Sequence, residues 1–135
     1  MNVRSLLSFF IVLCATWSMA GTPREYTVLE AAKHIGETAK VTGKVERVNQ
    51  SLGGSIFLDL GAKYPNNLFT VFIPRSAAGS FPNFKKYDGL TITVSGEIRE
   101  YNNKVEIVVT DPSQIVRRPS VSYRGHSPDE SVPGL

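Results

Sequence analysis

The chain has 135 residues, with 15 Lys and Arg against 12 Asp and Glu, one Cys and one Trp. This length leaves room for a single domain with flanking segments. Between Glu25 and Ile115 the two signs of charge balance at ten residues each, so composition neither demands nor forbids a basic patch for a polyanion.

The first twenty residues stand apart from the rest. Arg4 supplies a positive charge, residues 6–17 ("LLSFFIVLCATW") form an apolar run, and Ser18 and Ala20 are small. This is the layout of a secretory signal peptide, with cleavage expected after Ala20. The run is too short for the ~20 residues that span a bilayer, so no membrane span is expected after cleavage. Leu13 before Cys14 does not suit a lipid-attachment signal. Processing removes Cys14, Trp17 and Arg4 and leaves 14 basic and 12 acidic residues. An exported chain without cysteine has neither disulfides nor thiol chemistry, which fits a bacterial periplasm or extracellular medium.

Residues 27–36 ("TVLEAAKHIG") predict a short helix, with Thr27 as N-cap, Glu30 completing a capping box and Gly36 as the stop. Val28, Leu29, Ala32 and Ile35 would form its apolar face, with His34 at its end as a surface residue. Period-two alternation then predicts strands along 39–46, 56–60 and 69–73, with turns at "NQSLGG" and "AKYPNN" and a stop at Pro74. Residues 75–89 have helical character, and Phe81, Phe84 and Tyr87 are expected to plug one end of the core. Leu90, Ile92, Val94, Gly96 and Ile98 give a fourth inward row, and Val105, Ile107 and Val109 a fifth, joined by the turn Asn102-Asn103. Residues 116–135, rich in Pro, Ser and Arg, read as a disordered tail.

Two strands share one layout, "VTGKVERV" at 41–48 and "VSGEIREY" at 94–101, each with a central glycine. Glycine weakens a flat strand but suits one that must bend sharply where a sheet closes. Gly43 and Gly96 are therefore expected at corners. The expected domain, 21–115, is all-β: a five-stranded barrel with a short N-terminal helix and a helical connection between the third and fourth strands.

The segments "FLDLGAKYPNNLFTVFI" and "FPNFKKYDGLTITVSGEIREYNNKVEIVVTDPSQI" resemble small bacterial OB-fold domains of the nucleic-acid-binding, tRNA-anticodon-like class. The likeness is carried by Gly96, Ile98, Tyr101, Ile107, Pro112, Gln114 and Ile115, and covers about residues 28–115. In organisation the chain is also similar to exported bacterial OB-fold proteins of the periplasmic stress type. The first resemblance implies binding of single-stranded DNA or RNA, and the second a protein partner in the cell envelope. Asn102-Asn103 is shorter than the loop that OB-fold binders often use to clamp a strand.

For chemistry, the chain beyond residue 20 has no Cys and only two separated histidines, His34 and His126. Asp59, Glu97 and Glu106 occupy outward strand positions without a recognisable catalytic spacing, and no phosphate loop is present. No catalysis, cofactor or metal is expected. If Ile56, Leu58, Leu60, Phe69, Val71 and Ile73 point inward, Phe57, Asp59, Thr70 and Phe72 lie on the outer face. OB folds stack bases on aromatic residues at that face. Phe57 and Phe72, rimmed by Lys40, Lys44 and Arg75, form the expected nucleic-acid-binding site. The other reading is that the N-terminal helix or a partner protein covers the two phenylalanines.

Overall fold

The structure, a computed structural model, describes residues 21–119. The signal-peptide assignment at 1–20, and the tail from residue 120 onward, lie outside the described residues. In chain order the strands are β1 (Glu25–Thr27), β2 (Thr38–Gln50), β3 (Ile56–Leu60), β4 (Phe69–Ile73), β5 (Thr91–Tyr101), β6 (Lys104–Val108) and β7 (Ile115–Arg117). Seven strands replace the five expected. The additions, β1 and β7, have three residues each, too few to show a period of two. Val116 and Arg117, expected in the tail, belong to β7.

The five longer strands pair in a ring. β2 runs antiparallel to β3, β3 to β4, β6 to β5 and β5 to β2, while β4 and β6 are parallel. β1 adds in parallel to β2, and β7 antiparallel to β5. β2 can serve two neighbours because it changes partner partway along. It pairs with β5 as far as Lys44 and with β3 from Val45, and a register shift between Val45 and Arg47 marks a bulge. β5 makes the corresponding change between Glu97, opposite Thr38, and Ile98, opposite Ile107.

Gly96 sits at that change of partner with φ 158°, and a Cβ there would stand 2.7 Å from Ile107 Cγ2. It is a corner, as expected. Gly43 has a different duty: a Cβ there would stand 2.5 Å from Val28 Cγ1, so its bareness admits the N-terminal helix against the sheet. The bend in β2 belongs to the bulge instead.

Alternation sends Ile56, Leu58, Leu60, Phe69, Val71 and Ile73 fully inside, where they meet Val41, Val45, Ile92, Val94, Ile98 and Ile107. Phe81 and Tyr87 are buried and Phe84 packs against the core, with helix α2 (Arg75–Ala78) and a 3₁₀ turn at Phe84–Tyr87 in the connection between β4 and β5. Helix α1 is shorter than expected, Val28–Ala31, although the Thr27–Glu30 capping box forms. The chain turns after it to reach β2: Gly36, at φ 91°, donates its N–H to the carbonyl of Ile98 at 2.7 Å. The buried face is accordingly Ala31 with Val28, while Leu29, Ala32 and Ile35 are exposed. His34 stacks on Tyr26 at 3.8 Å between ring centroids.

A concave face on the β3–β4–β6 sheet

The register of the ring sets two parallel rows across its outer surface. One runs Asn49, Phe57, Phe72, Val108; the other runs Arg47, Asp59, Thr70, Glu106, Arg99. Phe57 and Phe72 are half-buried neighbours with ring centroids 5.2 Å apart and planes tilted by 43°. They take no part in the core cluster, so the alternation put them on the correct side.

The second row departs from the sequence expectation. Asp59, Thr70 and Glu106 point outward, yet their exposures are only 5%, 8% and 5%. The cause is the segment joining β3 to β4, residues 61–68, which stands over the row. Lys104 Nζ ties that segment down, donating to the carbonyls of Pro65 at 2.6 Å and Asn67 at 3.3 Å. Asn67 is itself 5% exposed, and its Nδ2 donates to Thr70 Oγ1 at 2.7 Å. Its Oδ1 is buried without a hydrogen-bond partner.

Between this segment, the β5–β6 hairpin and β2 lies a concavity of about 470 Å³. Phe57, Tyr64 and Tyr101 supply its aromatic surface, and Arg47 and Lys104 its cations. Tyr64 and Tyr101 are 64% and 61% exposed at the rim. The hairpin turn is tight, with Asn102 and Asn103 both at positive φ, 49° and 59°. A short loop there leaves the mouth open, and residues 61–68 provide the wall that a longer β5–β6 loop would have made.

Electrostatics divide the site by depth. Glu106 accepts from Arg99 Nε at 3.0 Å and from Nη2 at 2.8 Å, both through Oε1. Burial pushes the Asp59 carboxyl above the usual aspartate value, opposed by Arg47, by the backbone N–H of Tyr64 and by Lys104. The floor thus holds carboxylates and an unpaired amide oxygen, and the rim holds cations.

The expected rim is only partly assembled. Lys40 and Lys44 lie on the half of β2 that pairs with β5, opposite Ser95 and Thr91, whereas Phe57 opposes Asn49 at the other end of the strand. Lys44 is 3.7 Å from Glu46. Neither lysine lines the concavity, and both stand apart from the phenylalanine pair along β2. Arg75 packs beside Gly54 in the loop that leads into β3, at the Phe57 end, but outside the concavity. The lining residues missed in the sequence include Arg47, Tyr64, Asn67, Tyr101, Lys104 and Glu106. Their signal was faint: "AKYPNN" reads as an ordinary turn, with Pro and Asn where turns favour them. Among the described residues no group of three or more His, Cys, Asp or Glu is placed to hold a metal, and no helix is long and apolar enough to cross a membrane.

No family model matches the chain, and no curated protein matches it. Among solved structures it is similar to "OBody AM1L10 bound to hen egg-white lysozyme", with a TM-score of 0.51 and 16% identity over 75% of this chain and 98% of that one. It is also similar to an aspartyl tRNA synthetase from Entamoeba histolytica, with a TM-score of 0.49 and 16% identity over 72% of this chain. The match spans 23% of the synthetase chain. The first likeness, together with the strand order, gives the fold as OB-type.

Proposed function

We propose that this protein is an exported, non-catalytic OB-fold binding protein whose ring of strands forms a barrel and whose β3–β4–β6 face takes single-stranded nucleic acid, weakly and largely without regard to sequence. The observation that carries the reading is the set of three aromatic residues, Phe57, Tyr64 and Tyr101, lining one open concavity with Arg47 and Lys104. Exposed rings offer stacking to bases that have left a duplex, and cations at the rim meet the backbone. Phe72 extends the apolar row beside Phe57. The signal-like segment 1–20 supports export to the periplasm or medium.

The test is a fluorescence-anisotropy titration with a labelled single strand and the matching duplex at low salt. The single strand is expected to bind more tightly. Phe57→Ala is expected to weaken it by about 1–3 kcal/mol, the worth of one stacked base. A second reading, an envelope module that docks a protein partner, draws on Leu52, fully exposed at the β2–β3 hairpin near the phenylalanine pair. Absence of single-strand binding at low salt would transfer the assignment to that reading.

A further inference from the structure

The single-strand reading leaves open what part of a nucleotide enters the concavity, and the inference drawn here rests on that reading. The polar groups at the floor are more than nine-tenths buried, and those without a donor already in place are acceptors. Asn67 Oδ1 has no partner, because Nδ2 is the atom engaged with Thr70. Both donors from Arg99 fall on Glu106 Oε1, which leaves the second oxygen of that carboxylate uncommitted to the ion pair. Asp59 lies in the same cross-strand row, between Arg47 and Thr70.

Buried acceptors are costly when unpaired, so a site built this way favours a ligand that brings donors to it. A phosphate brings the wrong sign: it would face two carboxylates and an amide oxygen, all lone pairs. Thymine and uracil present a carbonyl at position 4, another acceptor, and only the single N3–H as a donor on that edge. Cytosine and adenine present an exocyclic amine, which carboxylates and amide oxygens accept. The flat surfaces of Phe57, Tyr64 and Tyr101 suit a planar group in the same space, and 470 Å³ lies within the usual range of ligand cavities.

We infer that the concavity is a subsite for one amino-bearing nucleobase, cytosine or adenine in preference to thymine or uracil, the two hydrogens of its amine shared among the acceptors of Asp59, Glu106 and Asn67 and its ring against Phe57, Tyr64 and Tyr101. The backbone of the strand remains outside, at Arg47 and Lys104. Binding along the rest of the face stays indifferent to sequence.

The experiment is a pair of anisotropy titrations at neutral pH and low salt, with labelled oligo(dC) and oligo(dT) of equal length. Both are single-ring pyrimidines, so the comparison sets the cytosine amine against the position-4 carbonyl of thymine, which also differs by its N3–H and C5 methyl. Oligo(dC) is expected to bind about tenfold more tightly, within the range of one well-made base-edge contact. Asp59→Asn, which keeps the shape but replaces a carboxylate oxygen with an amide nitrogen, is expected to bring the ratio of the two affinities close to one. The wild-type comparison stands even where that variant folds poorly, and a thermal melt of the variant shows whether it does. Equal affinity for the two strands, or preference for oligo(dT), overturns the subsite and leaves single-strand binding intact. Binding of neither strand overturns both. A tenfold preference that survives in a folded Asp59→Asn variant overturns the assignment of the floor carboxylate as the acceptor.

Discussion

Asp59 is held at 5% exposure in a cross-strand row with Arg47 and Thr70, and burial pushes its carboxyl above the usual value of 3.8 despite the opposing charges of Arg47 and Lys104. A raised folded value means that the folded state binds the proton more tightly than the unfolded chain. The destabilisation from this charge is therefore complete above the folded value and is relieved as pH falls from there towards 3.8. Asp59→Asn is accordingly expected to raise Tm at neutral pH, with the gain shrinking as pH is lowered through that window. A variant that melts below wild type at neutral pH would show that the contacts to Arg47 and the Tyr64 amide outweigh the burial. Gly96 bears on the frame around this site. Its φ of 158° and the 2.7 Å approach to Ile107 Cγ2 leave no space for a methyl group, and Gln114 Nε2 stands 3.5 Å away on the same side. Gln114 uses that nitrogen to hold the Ser95 carbonyl at 2.9 Å, so a displaced side chain would disturb the join between β5 and the last turn. Gly96→Ala is expected to cost about 1–3 kcal/mol, the usual scale of overpacking, measured by urea denaturation. An unchanged midpoint would mean that Ile107 yields freely and the corner does not need glycine.

Among the elements, the long strands were legible because they alternate. Residues 56–60 and 69–73 have one buried face and one outer face, and a period of two can settle nothing else. The same pattern placed Phe57, Asp59, Thr70 and Phe72 together. It did not show that Asp59 and Thr70 would be covered, because the cover is the 61–68 segment, folded back through Lys104 and Asn67 by contacts that have no sequence period. Lys40 and Lys44 lie away from the concavity for a related reason. They share a strand with Arg47 and Asn49, but β2 changes neighbours between them, so one strand serves two surfaces. β7 was missed as part of the fold, yet it contributes specific bonds. Arg118 after it donates its N–H to the Thr91 carbonyl at 2.9 Å and its Nε to Thr93 Oγ1 at 2.9 Å, and pairs with Glu25 in β1. A chain ending at Ile115 loses these and the pairing of Val116 and Arg117 with Thr93 and Ile92. Compared with a chain ending at Pro119, it is expected to lose at least about 2 kcal/mol, counting only the two Arg118 hydrogen bonds to Thr91 and Thr93 at roughly 1 kcal/mol each. For a domain of this size that lowers Tm by roughly 10 °C. Equal melting of the two chains would confine the fold to the ring of five strands.

At the scale of the whole molecule, charge is close to balanced, and what matters for a polyanion is where the cations sit. Ten basic and ten acidic residues between Glu25 and Ile115 give no overall pull towards nucleic acid. On the concave face Arg99 is committed to Glu106, while Lys104 holds the 61–68 segment from the rim and Arg47 stands on the exposed edge of β2. Two cations, Arg47 and Lys104, are thus within reach of a strand lying across the mouth. Neutralising about two phosphates on a single strand sets the slope of log K against log salt at about −1.4, from −0.7 for each contact. Lys40 and Lys44, on the other half of β2, add nothing to this value. Titrations of a labelled oligonucleotide over a series of salt concentrations measure the slope directly. Arg47→Gln is expected to bring it to about −0.7, while a Lys40→Gln, Lys44→Gln double variant leaves it unchanged. A slope near −3 in the wild type, or one that falls in the lysine double variant, would mean that the strand crosses β2 on its β5-paired half and that the concavity is not where it lies.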